Sequence, residues 1–300
     1  MPRCRAKAFG HKGRQTEMTD ASELRIRAMR PDEITIALDW AAAEGWNPGL
    51  ADAPCFATVD RDGFLIGELD GSAAATISCL NYDEGFAFLG FYIVRGDLRG
   101  RGYGLRIWNA AVAHAGARTI GLDGVVAQQD NYRKSGFRLA YANIRYGGGI
   151  GPLSVPPAAT VPLAEVPFAA LEADDARVFP APRAAFLRAW IGTRGHIGRA
   201  LVRDGNLAAW GVIRPCRRGH KIGPLVADDR AAAESVLAAL IAAAGAGEVF
   251  LDVPSVNRNA LALAQDYGLA PVFETARMYT GAIRPLLLER VFGVTTFELG

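Results

Sequence analysis

Apolar and polar positions alternate along this chain with two periods, and the changes from one period to the other outline its elements. Leu24-Arg25-Ile26-Arg27-Ala28-Met29 alternates apolar with charged residues, which predicts a half-buried strand. Pro31-Asp32-Glu33 then opens a helix, because proline suits its first position and acids suit its positive end. That helix ends at Glu44-Gly45, Trp46-Asn47-Pro48-Gly49 forms a turn, and a second short helix is expected near 50–56. Strands are predicted at 64–69, 74–80 and 86–94, the first two joined by the hairpin signal Asp70-Gly71. Leu105, Trp108, Ala111, Val112 and Ala115 recur at helical spacing and mark a packing face. A strand at 122–127, a short helix at 129–135 and a strand at 138–146 follow.

Gly147-Gly148-Gly149, then Pro152, Pro156, Pro157 and Pro162, read as a stiff irregular linker. After it the same order returns: strands at 195–202, 207–213 and 221–227, a helix at 231–244, a strand at 249–253, a helix at 259–267 and a strand at 272–278. A shift of 132 positions carries Val94 onto Val226, Asp97 onto Asp229, Leu105 onto Leu237 and Gly136 onto Gly268. Leu122-Asp123 meets Leu251-Asp252 at a shift of 129, the mark of a shorter loop. The chain is therefore read as an α/β repeat in two copies.

One turn carries chemistry. The apolar run Phe91-Tyr92-Ile93-Val94 leads into Arg99-Gly100-Arg101-Gly102-Tyr103-Gly104 and then a helix. Glycines let the main chain bend beside a ligand, and the N–H groups of such a turn and of the helix start form a cradle for anions. Arg99 and Arg101 suit phosphate oxygens. A dinucleotide fingerprint needs a third glycine where Leu105 stands, and a P-loop needs Lys-Ser/Thr where Leu105-Arg106 stands, so both fail. The turn is either an ordinary glycine-rich connection or the fit Arg-x-x-Gly-x-Gly, which resembles the coenzyme A loop of the GNAT acyltransferases. Tyr132-Arg133-Lys134-Ser135-Gly136-Phe137 is similar to that family's Tyr-x-Lys-x-Gly-Phe, in the usual order and separation.

The resemblance implies two GNAT-like domains in tandem, each a mixed, mostly antiparallel sheet flanked by helices. The division expected is a basic leader at 1–20, an active domain at 21–147, a linker at 148–162 and a degenerate domain at 163–300 that walls the acceptor cleft. In the second copy Arg99, Arg101, Gly102, Gly104 and Tyr132 map to Ala231, Ala233, Glu234, Val236 and Ala264. Side chains there crowd a pyrophosphate and Glu234 repels it, so one working site is expected. By resemblance, Phe91, Tyr92, Ile93 and Val94 hold the pantetheine arm of acetyl-CoA, while Arg99, Gly100, Arg101, Gly102, Tyr103, Gly104 and Leu105 hold its pyrophosphate. An oxyanion-binding N–H falls near Tyr92 or Ile93. Gly90 marks a bulge or close packing.

Tyr132 takes the place of the family's acid for the departing thiolate, or is a structural phenol; Val125 stands where the family has Asn. The base is chosen among Glu84, Asp83, Glu68, Asp123 and Glu44, with Glu84 favoured by its strand, or a water chain replaces it. Trp46 and Asn47 fall in the region that lids the acceptor, or Trp46 covers the core. Tyr279 and the stretch 284–300 are further candidates for the cleft, whereas Trp190, Trp210 and Phe250 read as core and His114 as solvated.

Composition narrows this little. The 300 residues carry 33 Lys and Arg against 31 Asp and Glu, so no global charge points to nucleic acid. The basic residues Arg3, Arg5, Lys7, Lys12 and Arg14 gather before Met18 without an apolar core, which excludes a secretory signal; a disordered tail or a start at Met18 is expected rather than a targeting tail, since the stretch has no serine and little amphipathic pattern. No apolar run is long enough for a membrane span. Cys4, Cys55, Cys79 and Cys216 are scattered, the histidines lack ligand spacing, and no metal is expected. A cytoplasmic enzyme that acetylates a small-molecule primary amine by direct attack is the expectation. The rivals are transfer of a longer acyl chain, acylation of a protein, or an acyl-CoA sensor without turnover.

Overall fold

The computed structural model describes residues 23–151 and 159–300; the basic leader lies outside them. The first series of elements is β1 (Arg25–Ala28), α1 (Ile34–Ala43), α2 (Asp52–Phe56), β2 (Phe64–Leu69), β3 (Ser72–Asn81), β4 (Phe86–Val94), α3 (Tyr103–Ala115), β5 (Thr119–Val125), α4 (Gln129–Lys134) and β6 (Arg138–Gly149). The second is β7 (Val161–Pro162), α5 (Phe168–Val178), α6 (Ala184–Gly192), β8 (Ile197–Arg203), β9 (Asn206–Pro215), β10 (His220–Ala227), α7 (Arg230–Ala244), β11 (Glu248–Pro254), α8 (Arg258–Asp266), β12 (Ala270–Tyr279) and β13 (Val291–Gly293). Helices α5 and α6 follow the proline-rich stretch, at the places where a shift of 132 carries α1 and α2.

The strands form one sheet in the order β1-β2-β3-β4-β5-β12-β6-β11-β10-β9-β8-β7, with β13 beside β10. The two copies have exchanged their closing strands. β12 pairs with β5 of the first copy, and β6 pairs with β11 of the second. The exchange is sealed by two matching ion pairs. Arg145 of β6 meets Asp252 of β11 at 2.6 and 2.8 Å, and Arg277 of β12 meets Asp123 of β5 at 2.9 and 2.6 Å. These arginines are themselves 132 positions apart, and each stacks over a ring of the other exchanged strand, Arg145 on Phe273 and Arg277 on Tyr141.

Gly147, Gly148 and Gly149 are not linker but the end of β6, paired with β11. A Cβ at Gly147 would sit 2.5 Å from the Phe250 ring, so glycine is what lets the strands close there.

In β4, nine apolar or small residues run without a charge, as befits a strand covered on both faces. Ala87 and Leu89 pack toward α3 with Ile107, Trp108 and Ala111. Phe91 and Ile93 pack on the other face with α1, α2 and α6. A bulge causes the change of face. Ser78 pairs with Gly90 and Thr76 with Ile93, so Phe91 and Tyr92 together oppose Ile77. Phe91 has φ of 49°, and its carbonyl accepts a hydrogen bond from the Thr76 hydroxyl at 2.9 Å.

Candidate active site

Past Leu89 and Leu122 the parallel strands β4 and β5 part. β5 turns to pair with β12, and a cleft of about 500 Å³ opens between the arms. Phe91 to Val94 line one arm and Asp123 to Val125 the other. The turn before α3 joins the lining, as do Trp46, Phe273, Thr275, Phe297 and Glu298.

The turn is built for close approach. Gly100 and Gly102 have φ of 78° and 84°, which favours glycine, and open space lies where their side chains would stand. Gly102 caps α3 without a side chain, so the first N–H groups of this 13-residue helix have no capping partner. The residues present thus fit a diphosphate. Arg99 donates to the Val94 carbonyl and pairs with Glu44 across the mouth.

Of the expected cofactor residues, Phe91, Tyr92, Ile93, Val94, Arg99, Gly100, Gly102, Gly104 and Leu105 all line the cleft. Arg101 is exposed outside it, and Tyr103 turns its ring into the core beside Leu24, Leu69 and Leu98. Tyr132 lies in the cleft wall, its ring stacked on Trp108 at 5.8 Å and pressed on Gly124, where a Cβ would come within 2.2 Å. Burial, with Tyr92 adding to it, pushes the Tyr132 phenol up to about 12, so it keeps its proton at neutral pH.

The expected base is not at the cleft: Glu84 is exposed in the turn between β3 and β4, at the far end of β4. Asp83 accepts from the main chain of that turn, and Glu68 is paired with Arg27. Glu44 and Asp123 do line the cleft, but both are engaged with arginines. Trp46 lines the cleft and packs on the core as well, and its carbonyl accepts from Arg145 at 2.6 Å. Asn47 faces away, exchanging two hydrogen bonds with the Arg218 main chain. Gly90 serves both expected purposes, since the bulge begins there and a Cβ would meet the Glu298 carbonyl oxygen at 2.2 Å.

Tyr279 is buried with Phe86 away from the cleft, whereas the tail does reach it, through Phe297 and Glu298. Those two residues sit in no motif; only the length of chain after β12 hinted at them. Trp190, Trp210 and Phe250 are buried as expected. His114 is not solvated but bonded to Asp60 at 2.7 Å, and Lys221 is a buried β10 residue.

The second copy has a matching fork that its own chain fills. β10 and β11 run parallel from His220 to Ile222, then part. Into the gap goes β13, pairing Val291 with Val226 and Gly293 with Leu225, while Val294 N donates to Asp252 O on β11 at 2.8 Å. The Asn257 amide holds the insert through the Glu289 and Val291 carbonyls. At the helix start, Asp229 caps α7 with its own carboxylate, accepting from Ala232 N at 2.8 Å. The segment matching the glycine turn lies inside α7.

Comparison with known proteins places this architecture. The pattern of the acetyltransferase (GNAT) family matches residues 29–137, and that of an acetyltransferase (GNAT) domain matches 172–293. Holothin acyltransferase from a Pseudoalteromonas strain is 31% identical over 271 residues, which cover 90% of this chain and 92% of that protein. The chain belongs to the GNAT acyltransferase family. It carries two GNAT units in tandem and is an N-acyltransferase; enzymes of this family take their acyl group from acyl-CoA. The fold agrees. A candidate acetyltransferase of Pyrococcus horikoshii aligns with a TM-score of 0.80 at 23% identity, covering 97% of this chain and 100% of its own. A tandem GNAT protein from the clavulanic acid biosynthesis pathway aligns at 0.61 and 15% identity, covering 87% and 98%. No helix of the described residues is long and apolar enough to cross a membrane.

Proposed function

We propose that this GNAT protein transfers an acetyl group from acetyl-CoA to the primary amine of a small molecule, at one site in the first unit. The observation that carries the reading is the contrast between the two forks: the first is open and ends in an uncapped glycine turn, while the second is occupied by β13 and its helix is capped by Asp229. In this reading the backbone of Phe91–Val94 pairs with the pantetheine amides as an added strand would, and the Gly100–Gly104 turn takes the pyrophosphate. The first unit supplies the acyl-transfer machinery and the second supplies the acceptor wall through Phe273, Thr275, Phe297 and Glu298.

The amine nitrogen attacks the thioester carbon directly. A C–N bond forms, the C–S bond breaks, the sulfur takes a proton from the Tyr132 hydroxyl, which burial keeps protonated until then, and the proton that nitrogen sheds as the amide forms restores that hydroxyl. The named relative extends the reading to its acceptor: an amine of the holothin kind is the first to try. The test is release of free thiol from acetyl-CoA against an amine panel that includes holothin. Tyr132→Phe should slow release about 100-fold with little change in the KM for acetyl-CoA, as loss of a proton donor does. Unchanged release in that variant removes Tyr132 from the mechanism, and binding of acetyl-CoA that no amine turns over replaces the enzyme reading with a sensor.

A further inference from the structure

Three carboxylates line the cleft, and the protein uses two of them internally. Glu44 holds Arg99. Asp123 holds Arg277 and accepts from the Asn143 amide at 2.8 Å. Glu298 is only 5% exposed and shares the charge of Arg145, Arg214 and Lys221 at longer range, yet among the described residues no hydrogen bond or close ion pair engages its carboxylate. Its oxygens are not among the polar atoms sealed from water, so the carboxylate keeps contact with the cleft, and a charged donor entering there can pair with it. Its position is fixed, because its own carbonyl is pressed on Gly90 where β4 leaves β5.

The surroundings say what kind of ligand. Phe273 and Phe297 stand 6.3 Å apart with planes inclined by 37°, both over the Arg145 guanidinium, and Trp46, whose carbonyl accepts from Arg145, lines the cleft with them. These rings offer flat apolar walls.

We propose that Glu298 anchors the acceptor as an ammonium ion whose flat, apolar body lies among Trp46, Phe273 and Phe297. The inference rests on the N-acyltransfer reading and names its substrate class: small, cationic amines carrying an unsaturated ring. The proton leaves nitrogen for the Glu298 carboxylate, and the freed lone pair forms the bond to the acyl carbon. The second unit thereby selects the substrate of the first, since the tail that fills the second fork goes on to carry Phe297 and Glu298 into the first.

The experiment compares 2-phenylethylamine (cationic, with a ring), ethanolamine (cationic, without one) and aniline (a ring, but neutral at pH 7) as acceptors for the native enzyme and Glu298→Gln. Acetyl-CoA affinity is measured alongside. The native enzyme should prefer phenylethylamine to ethanolamine. In Glu298→Gln the KM for phenylethylamine should rise about 30-fold or more, as when one partner of a buried charge pair is lost, with aniline and acetyl-CoA affinity nearly unchanged. Equal losses for phenylethylamine and aniline, no loss, or lost acetyl-CoA binding each overturn the proposal.

Should Glu298→Gln fail to fold beside Arg145, Glu298→Asp keeps the charge and withdraws it by one methylene. It should raise the KM for phenylethylamine alone, and any other pattern overturns the anchor. If the native enzyme acylates none of these amines, equilibrium binding of phenylethylamine by tryptophan fluorescence separates the two claims. Binding lost in Glu298→Gln keeps the anchor and discards transfer, whereas no binding to the native protein discards the anchor.

Discussion

At the residue scale, burial decides which titratable groups can act at neutral pH. Tyr132 is held protonated by its apolar surroundings, which suits a donor. The same physics at His196 has a consequence for stability. Its ring is packed edge-on against Trp190 at 4.7 Å, its Nδ1 lies 2.8 Å from the Trp190 carbonyl, and Arg214 and Asp52 are its charged neighbours. Burial, reinforced by Arg214, lowers its pKa from 6.5 to about 4. Between those values the unfolded chain binds a proton that the folded chain refuses, so stability falls as pH falls from about 6.5 to about 4. The loss is on the order of 3 kcal/mol. Urea unfolding of the native protein and His196→Gln at pH 7 and pH 4.5 checks this: the variant should lose less stability on acidification, and equal losses would contradict it.

The residues of the glycine turn were legible in the sequence, because a positive φ and an uncapped helix start are local demands that only glycine meets well. Glu298 was not. It lies more than two hundred positions from the strand it touches, and an isolated glutamate has no local signature. Glu84 was misplaced for a related reason. Its nearness to the CoA loop in sequence is nearness to the other end of the same strand.

At the element scale, the exchange of β6 and β12 binds the two units through charges that are fully buried. Arg145–Asp252 is bidentate, with both partners sealed from water. Removing one charge leaves the other unpaired in the interior, so Asp252→Asn should cost about 3–5 kcal/mol. Arg218–Glu248 is equally short at 2.6 Å but open to solvent, and Glu248→Gln should leave stability unmoved. Denaturation midpoints of the two variants compare burial at fixed distance; similar shifts would contradict the argument. The order and type of most elements could be read from periodicity, yet the exchange could not. Swapping two strands of like pattern between two copies leaves every apolar position where it was. Helices α5 and α6 were legible only through the repeat register, and β13 is too short for a period.

At the scale of the whole molecule, a duplicated unit has kept one fork open and closed the other with its own chain. Both forks have parallel strands that part after a short pairing, and both are sealed behind by an aspartate–arginine pair. What differs is the main chain at the helix start and the presence of β13. The repeat and the loss of glycines in its second copy were legible as register and composition. The filling of the second fork was not, since it depends on where a tail folds back. The central claim is that acyl-CoA is bound by the first fork alone. Calorimetric titration of the native chain with coenzyme A tests it most directly, beside Gly102→Glu, which gives the first turn the residue found at the matching place in the second. The account predicts one equivalent bound per chain and none in the variant. Two equivalents in the native protein, or one that survives Gly102→Glu, would contradict it.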